Sequence, residues 1–104
     1  MEYSTLKQRA LMISSLFDKQ NLKKGQQIWD HSAVMAGFVG DVGDLSKLVM
    51  AKSNLRHKED IDKALAHELS DCLWSIIVLA DKLKIDLPKE FMKTMDSIEQ
   101  KINK

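Results

Sequence analysis

The sequence predicts an all-α fold of four helices joined by short connections. Apolar residues recur at the helical period of about 3.6 residues in four successive segments, and no segment shows the sustained alternation of a strand. Polar stretches and turn-forming residues, among them Gly25 and Pro88, separate these segments. At 104 residues the chain is predicted to be a single domain over residues 1–104, and its modest core favours homo-oligomerisation.

The first two helices are predicted on either side of a polar break. From residue 3 to residue 20 the apolar side chains fall on one helical face, and residues 21–25 are expected to end that helix in a loop. Residues 26–32 are expected to form either a short turn or an irregular segment that leads into the next helix. Asp30 or Ser32 would be the N-cap of that helix. A second helix is predicted over residues 32–51.

The other two helices follow a basic connector at residues 52–58. A third helix is predicted over residues 60–84, and its stretch from Cys72 to Ala80 is apolar almost all round, which is typical of a helix buried by several neighbours. Pro88 suits the first position of a final helix. That helix carries apolar residues at helical spacing, namely Phe91, Met92, Met95, Ile98 and Ile102.

Composition excludes several classes of protein. The formal net charge is +1 and no basic cluster is interleaved with aromatic residues, so a nucleic-acid partner is not expected. Cys72 is the only cysteine, which excludes an internal disulfide, and its apolar neighbours predict an inert packed thiol. The N-terminus is polar, and the longest uncharged run is far shorter than the roughly 20 residues of a membrane span. We therefore expect a soluble cytoplasmic protein without a membrane partner.

Two acidic pairs, Asp41/Asp44 and Glu68/Asp71, are the strongest candidates for a functional site. Each places two carboxylates three residues apart, on one face of a helix, next to an uncharged run. A single pair of this kind is usually solvated surface, but carboxylates beside apolar surface are costly unless they are paired or bind a metal. Two such pairs predict a metal site between facing helices.

Carboxylate oxygens favour hard cations such as Mg²⁺ or Mn²⁺. A di-iron bundle would instead need a Glu-x-x-His arrangement, and His67, adjacent to Glu68, is expected to lie on another helix face. Mg²⁺ in proteins commonly keeps several water ligands, and substrate phosphates complete its coordination shell, so the site would suit a polyphosphate. Three glycines, Gly37, Gly40 and Gly43, each cost the second helix about 1 kcal/mol. They predict close approach of another backbone or a ligand, although tight helix packing alone explains them equally well.

The motifs around these acids resemble those of MazG-like nucleotide pyrophosphohydrolases. Residues 40–48 read Gly-Asp-Val-Gly-Asp-Leu-Ser-Lys-Leu, similar to the family's Gly-Glu-Val-Gly-Glu-Leu segment. Residues 68–74 read Glu-Leu-Ser-Asp-Cys-Leu-Trp and are followed by Asp86-Leu87-Pro88, which resembles the second motif and its form in dCTP pyrophosphatases. The resemblance covers roughly residues 29–96.

This resemblance implies a MazG-like four-helix bundle and hydrolysis of a nucleoside triphosphate (NTP or dNTP) to monophosphate and pyrophosphate, in the service of nucleotide-pool cleansing. It implies Mg²⁺ dependence and a homodimer or homotetramer. The metal ligands and catalytic residues would be Asp41, Asp44, Glu68 and Asp71. The first pair is Asp/Asp where the family usually shows Glu/Glu, so the metal must lie nearer that helix or bind through water. The alternatives are a catalytically weak or inactive helical oligomer that binds nucleotide or a protein partner, and a structural dimerisation module.

Five further residues are predicted to contact the substrate. Lys47 would contact a phosphate or neutralise the acids, and Lys52 and Arg56 belong to a basic loop suited to a triphosphate tail. Trp29 and His31 precede the metal-binding helix, where the family's relatives place residues that hold the base. Packing in the core is an equal alternative for Trp29. A core or interface position is also the prediction for Trp74.

Overall fold

The computed structural model describes residues 1–53 and 60–103, which form four α-helices and no strand. They are α1 (Tyr3–Lys23), α2 (His31–Ser53), α3 (Ile61–Lys82) and α4 (Leu87–Ile102). The predicted all-α class and the number of helices are confirmed over the described residues. Most of the predicted basic connector lies outside them. None of the described helices has an apolar stretch long enough to cross a membrane.

The end of α1 differs from the prediction, because residues 21–23 continue the helix instead of opening a loop. Gly25 ends it at a φ of +72°, the left-handed conformation that glycine adopts without a steric penalty. The N–H of Gln26 then donates to the carbonyl of Asn21 at 2.8 Å, and that of Gly25 to Leu22 at 3.1 Å. These two bonds form a Schellman motif, so the glycine is the stop signal and the polar residues before it are not.

The starts of α2 and α4 are fixed by aspartates. Asp30 is the N-cap of α2, since its Oδ1 accepts the N–H of Ala33 at 2.9 Å. Asp86 caps α4 by accepting the N–H of Lys89 at 3.4 Å. Pro88 is the second residue of α4 and not the first, one position later than predicted.

The core lies where α3 packs against α2 along their length and against α1. Its buried members are Ala10, Val34, Ile77 and Val78. Trp74 is partly buried against this cluster, and its Nε1–H donates to the carbonyl of Ala10 at 3.1 Å, which fixes the orientation of the indole. The core position predicted for Trp74 is therefore observed. Cys72 is buried, and this burial is the main cause that raises the pKa of its thiol, as expected for a packed cysteine.

The three glycines of α2 face open space. A Cβ atom added to Gly37, Gly40 or Gly43 would meet no atom within 4 Å. Within the described part of the chain, the predicted close approach of another backbone is therefore wrong, and tight helix packing does not explain these glycines either. Gly37 lines the cavity that adjoins the acids, and approach of a ligand stays a prediction. The helix tolerates the glycines without any compensating contact from α1 or α3.

Candidate metal centre and adjoining cavity

Packing of α2 against α3 brings carboxylates of the two acidic pairs together. Asp41 and Asp44 of α2 and Glu68 of α3 each offer an oxygen, and these oxygens all lie within 4.8 Å of one another. The spacing of three residues on α2 puts both aspartates on the side that faces Glu68. Three of the four predicted ligands therefore share one site.

Asp71 lies in a second group that shares Glu68 with the first. His67, Glu68 and Asp71 each have a possible ligand atom within 4.8 Å of the others, and Nε2 of His67 lies 3.2 Å from Oδ2 of Asp71. The expectation that His67 points to another face is wrong. His67 and Asp71 are four residues apart, so their side chains meet along the helix even though His67 is adjacent to Glu68.

Glu68 lies in an environment that disfavours its negative charge. Its Oε2 is buried and has no hydrogen-bond partner among the described residues. Desolvation raises the pKa of this carboxyl, the negative charges of Asp41, Asp71 and Asp44 raise it further, and His67 opposes them. A cation between these oxygens would offset both the desolvation and the repulsion. An all-oxygen donor set of this kind fits Mg²⁺ or Mn²⁺.

A cavity of about 540 Å³ adjoins the acids, within the range of small-molecule sites. Asp41 and Asp71 line one part of it, and three aromatic rings line another. Those rings pack on one another, since the centroid of Phe17 lies 5.0 Å from that of Trp29 and 5.8 Å from that of Trp74. Trp29 is 37% exposed, so the ring is accessible to a ligand in this cavity. One ligand could contact both aromatic rings and carboxylates.

The other residues predicted to bind substrate are dispersed. His31 is the exposed first residue of α2 and is not part of the wall of this cavity. Lys47 is exposed on α2, one turn beyond Asp44. Lys52 extends to α3, where its ammonium pairs with Asp62. Arg56 lies outside the described residues.

Sequence reasoning missed several contributors to the site, among them two apolar residues of α1. Phe17 and Ile13 of α1 line the cavity, although their spacing indicated only an apolar helix face. Their separation by four residues is the signal for a shared surface, but it does not tell whether that surface is filled by core or by ligand. For His67 the sequence signal is Asp71, which follows it by four positions and therefore lies on the same helix face.

No family model, curated protein or solved structure matches this chain. The likeness to MazG-like pyrophosphohydrolases therefore rests on the two acidic motifs and remains a prediction. What the fold adds to those motifs is the convergence of Asp41, Asp44 and Glu68 beside an aromatic cavity.

Proposed function

We propose that this protein is a Mg²⁺-dependent nucleoside triphosphate pyrophosphohydrolase, which converts an NTP or dNTP to its monophosphate and pyrophosphate. The observation that carries the proposal is the convergence of three carboxylates from two helices beside a cavity with aromatic walls. The carboxylates suit the metal-bound phosphates of the substrate and the rings suit its base. The motif resemblance supports the same reaction independently of the geometry.

The metal would be held by Asp41, Asp44 and Glu68, with Asp71 close to the same site. Mg²⁺ held by these residues would supply charge stabilisation at the phosphates and would activate a water for attack. In hydrolysis the oxygen of water forms a bond to phosphorus, the α–β phosphoanhydride bond breaks, and pyrophosphate leaves. Asp71 lines the cavity and has His67 at 3.2 Å, and we propose that this pair would accept the proton that the water loses.

The base would stack on the aromatic wall of the cavity. Trp29 is the accessible ring, and Phe17 supports it from α1. The hydrogen bond from Trp74 to Ala10 holds the third ring in place before a ligand binds. Stacking on such rings contributes about 1–3 kcal/mol per base and tolerates different bases, which suits an enzyme that cleanses a nucleotide pool.

The proposal also covers further substrate contacts, the oligomeric state and the cellular location. Lys47, Lys52, Arg56 and His31 remain the predicted contacts to the phosphates and the base. We also propose a homodimer or homotetramer in the cytoplasm, supported by the many large apolar side chains that the described residues expose.

The test is pyrophosphate release from a panel of canonical and modified NTPs and dNTPs, with Mg²⁺ and with Mn²⁺. We expect at least one nucleotide to yield monophosphate and pyrophosphate in equal amounts, and Glu68→Gln to abolish release. Glu2→Gln makes the same chemical change on an exposed side chain before α1, away from the acids and from α4, and should retain activity. Absence of turnover across the whole panel with both metals would contradict the enzymatic proposal, and calorimetric nucleotide binding without turnover would favour the catalytically inactive binding protein.

A further inference from the structure

Helix α4 carries an apolar stripe that no other described part of the chain covers. Phe91, Met95, Ile98 and Ile102 are spaced by four, three and four residues, the pattern of the a and d positions of a coiled-coil heptad. We call these four residues the α4 seam. They are 55%, 39%, 44% and 76% exposed, and no residue of α4 is buried. Such a narrow stripe is typical of contact with a partner helix.

The connection between α3 and α4 directs α4 away from the rest of the fold. Lys84 adopts a φ of 59°, and the N–H of Ile85 donates to the carbonyl of Ala80 at 2.8 Å, which ends α3 in a tight turn. After this turn α4 makes only marginal contacts with the other helices. The α4 seam is therefore not covered within the described part of its own chain.

The surface left exposed is as large as the interface of an obligate oligomer. The accessible surface is 8392 Å², whereas a compact monomer of this mass exposes about 6,000 Å². The difference is about 2,400 Å², and an obligate homodimer buries roughly 1,000–2,500 Å² on each partner. The radius of gyration is 16.7 Å, against about 13 Å for a compact chain of this length.

The charges of α4 favour a second copy over other occupants. Its polar positions hold three lysines and three acids, so the helix lacks the cationic excess that binds anionic membranes. Lys89 and Glu90 lie in the first turn, and Glu99 and Lys101 lie in the last turn, so the side-chain charges balance at both ends of α4. The helix dipole then favours one direction: two antiparallel α4 helices would place the positive N-terminal end of each beside the negative C-terminal end of the other, whereas a parallel pair would align like ends.

We propose that the α4 seam is an interface between two copies of this chain, with their α4 helices antiparallel. This inference specifies the surface of the homo-oligomer named under the proposed function, and it does not depend on hydrolysis. In the antiparallel register centred on the seam, Met95 of each copy packs against Ile98 of the other. Phe91 and Ile102 form the outer layers.

The test measures the mass of the full chain by sedimentation over a range of concentrations. We expect Met95→Glu to weaken association by about 100-fold or more, because it would bury a charge in the seam. Gln100→Glu introduces the same charge on the polar face and should change association by less than about threefold. Circular dichroism checks that each variant is folded, and Met95→Ala replaces Met95→Glu if it is not.

Cysteine crosslinking tests the direction of the helices. A mixture of Met95→Cys and Ile98→Cys chains should form mixed disulfide dimers, whereas a parallel pair would crosslink Met95→Cys chains with one another. Cys72 is buried and does not compete. An oligomer that is unaffected by Met95→Glu would overturn this inference alone. A wild-type chain that is monomeric throughout, or that binds phosphatidylserine vesicles through α4 as a monomer, would overturn the proposed oligomer as well, whatever the pyrophosphate assay shows.

Discussion

At the scale of single residues, the environment of Glu68 disfavours its negative charge. One of its oxygens is buried without a partner, and three other carboxylates raise the pKa of the group. A raised pKa means that the folded state binds a proton more tightly than the unfolded state does. The carboxylate at position 68 therefore destabilises the metal-free protein at neutral pH, and this destabilisation is relieved as the pH falls through the raised pKa.

We predict that Glu68→Gln raises the melting temperature of the metal-free protein at neutral pH, because the amide removes the buried charge without changing the shape. The advantage of the variant should shrink as the pH falls through the raised pKa toward the ordinary value of 4.5. The stabilisation that Mg²⁺ gives the wild-type protein should be lost in the variant. Thermal unfolding with EDTA and with Mg²⁺ measures both effects, and Glu2→Gln, at an exposed position outside α4, is the control. A lower melting temperature in EDTA would contradict this account.

The acidic pairs themselves could be predicted from the sequence, because residues three apart on a helix share a face whatever the tertiary structure is. The pairing of His67 with Asp71 follows from the same rule, because four residues separate them on one helix, whereas the adjacency of His67 to Glu68 indicates different faces. The position of Phe17 in the cavity wall could not be predicted from the sequence. It depends on how α1 crosses α3, and no local pattern encodes that crossing.

At the scale of helices, periodicity predicted which elements exist, and the stop signals decided how well their ends were placed. At the ends of α1 and α3, Gly25 and Lys84 adopt the same left-handed backbone conformation, and the same pair of hydrogen bonds follows each helix. A glycine in the sequence indicates this conformation, because glycine adopts it without a steric penalty, whereas a lysine does not. The predicted end of α3 therefore lay two residues beyond Lys82.

These two helix ends should respond oppositely to substitution. Lys84→Gly relieves the steric cost of a side chain at positive φ and should raise the free energy of unfolding by about 0.5–1 kcal/mol, part of the gain being lost to the flexibility of glycine in the unfolded chain. Gly25→Ala should lower it by about 1 kcal/mol, although open space surrounds the position, because the strain lies in the backbone. Urea unfolding measures both. A stabilised Gly25→Ala variant would show that the φ of +72° is not maintained in solution.

At the scale of the whole molecule, the core is small because many large apolar side chains remain exposed. The described residues bury seven apolar side chains, two of them alanines, whereas apolar side chains at heptad spacing stay exposed on α4. Sequence patterns showed that each helix has an apolar face, but they did not show which faces meet within one chain. For α4 that question is decided by the turn at Lys84, which leaves the seam uncovered by the other described residues.

If a second copy covers the α4 seam, folding stability is linked to protein concentration. For a dimer that unfolds to separate chains, each tenfold rise in concentration adds about 1.4 kcal/mol to the apparent free energy of unfolding per dimer. We therefore predict that the melting temperature rises steadily between about 1 and 100 μM. Met95→Glu should lower the melting temperature and remove its dependence on concentration, while Gln100→Glu should leave both unchanged. A melting temperature that is constant across this range for the wild-type chain would mean that the small core suffices alone.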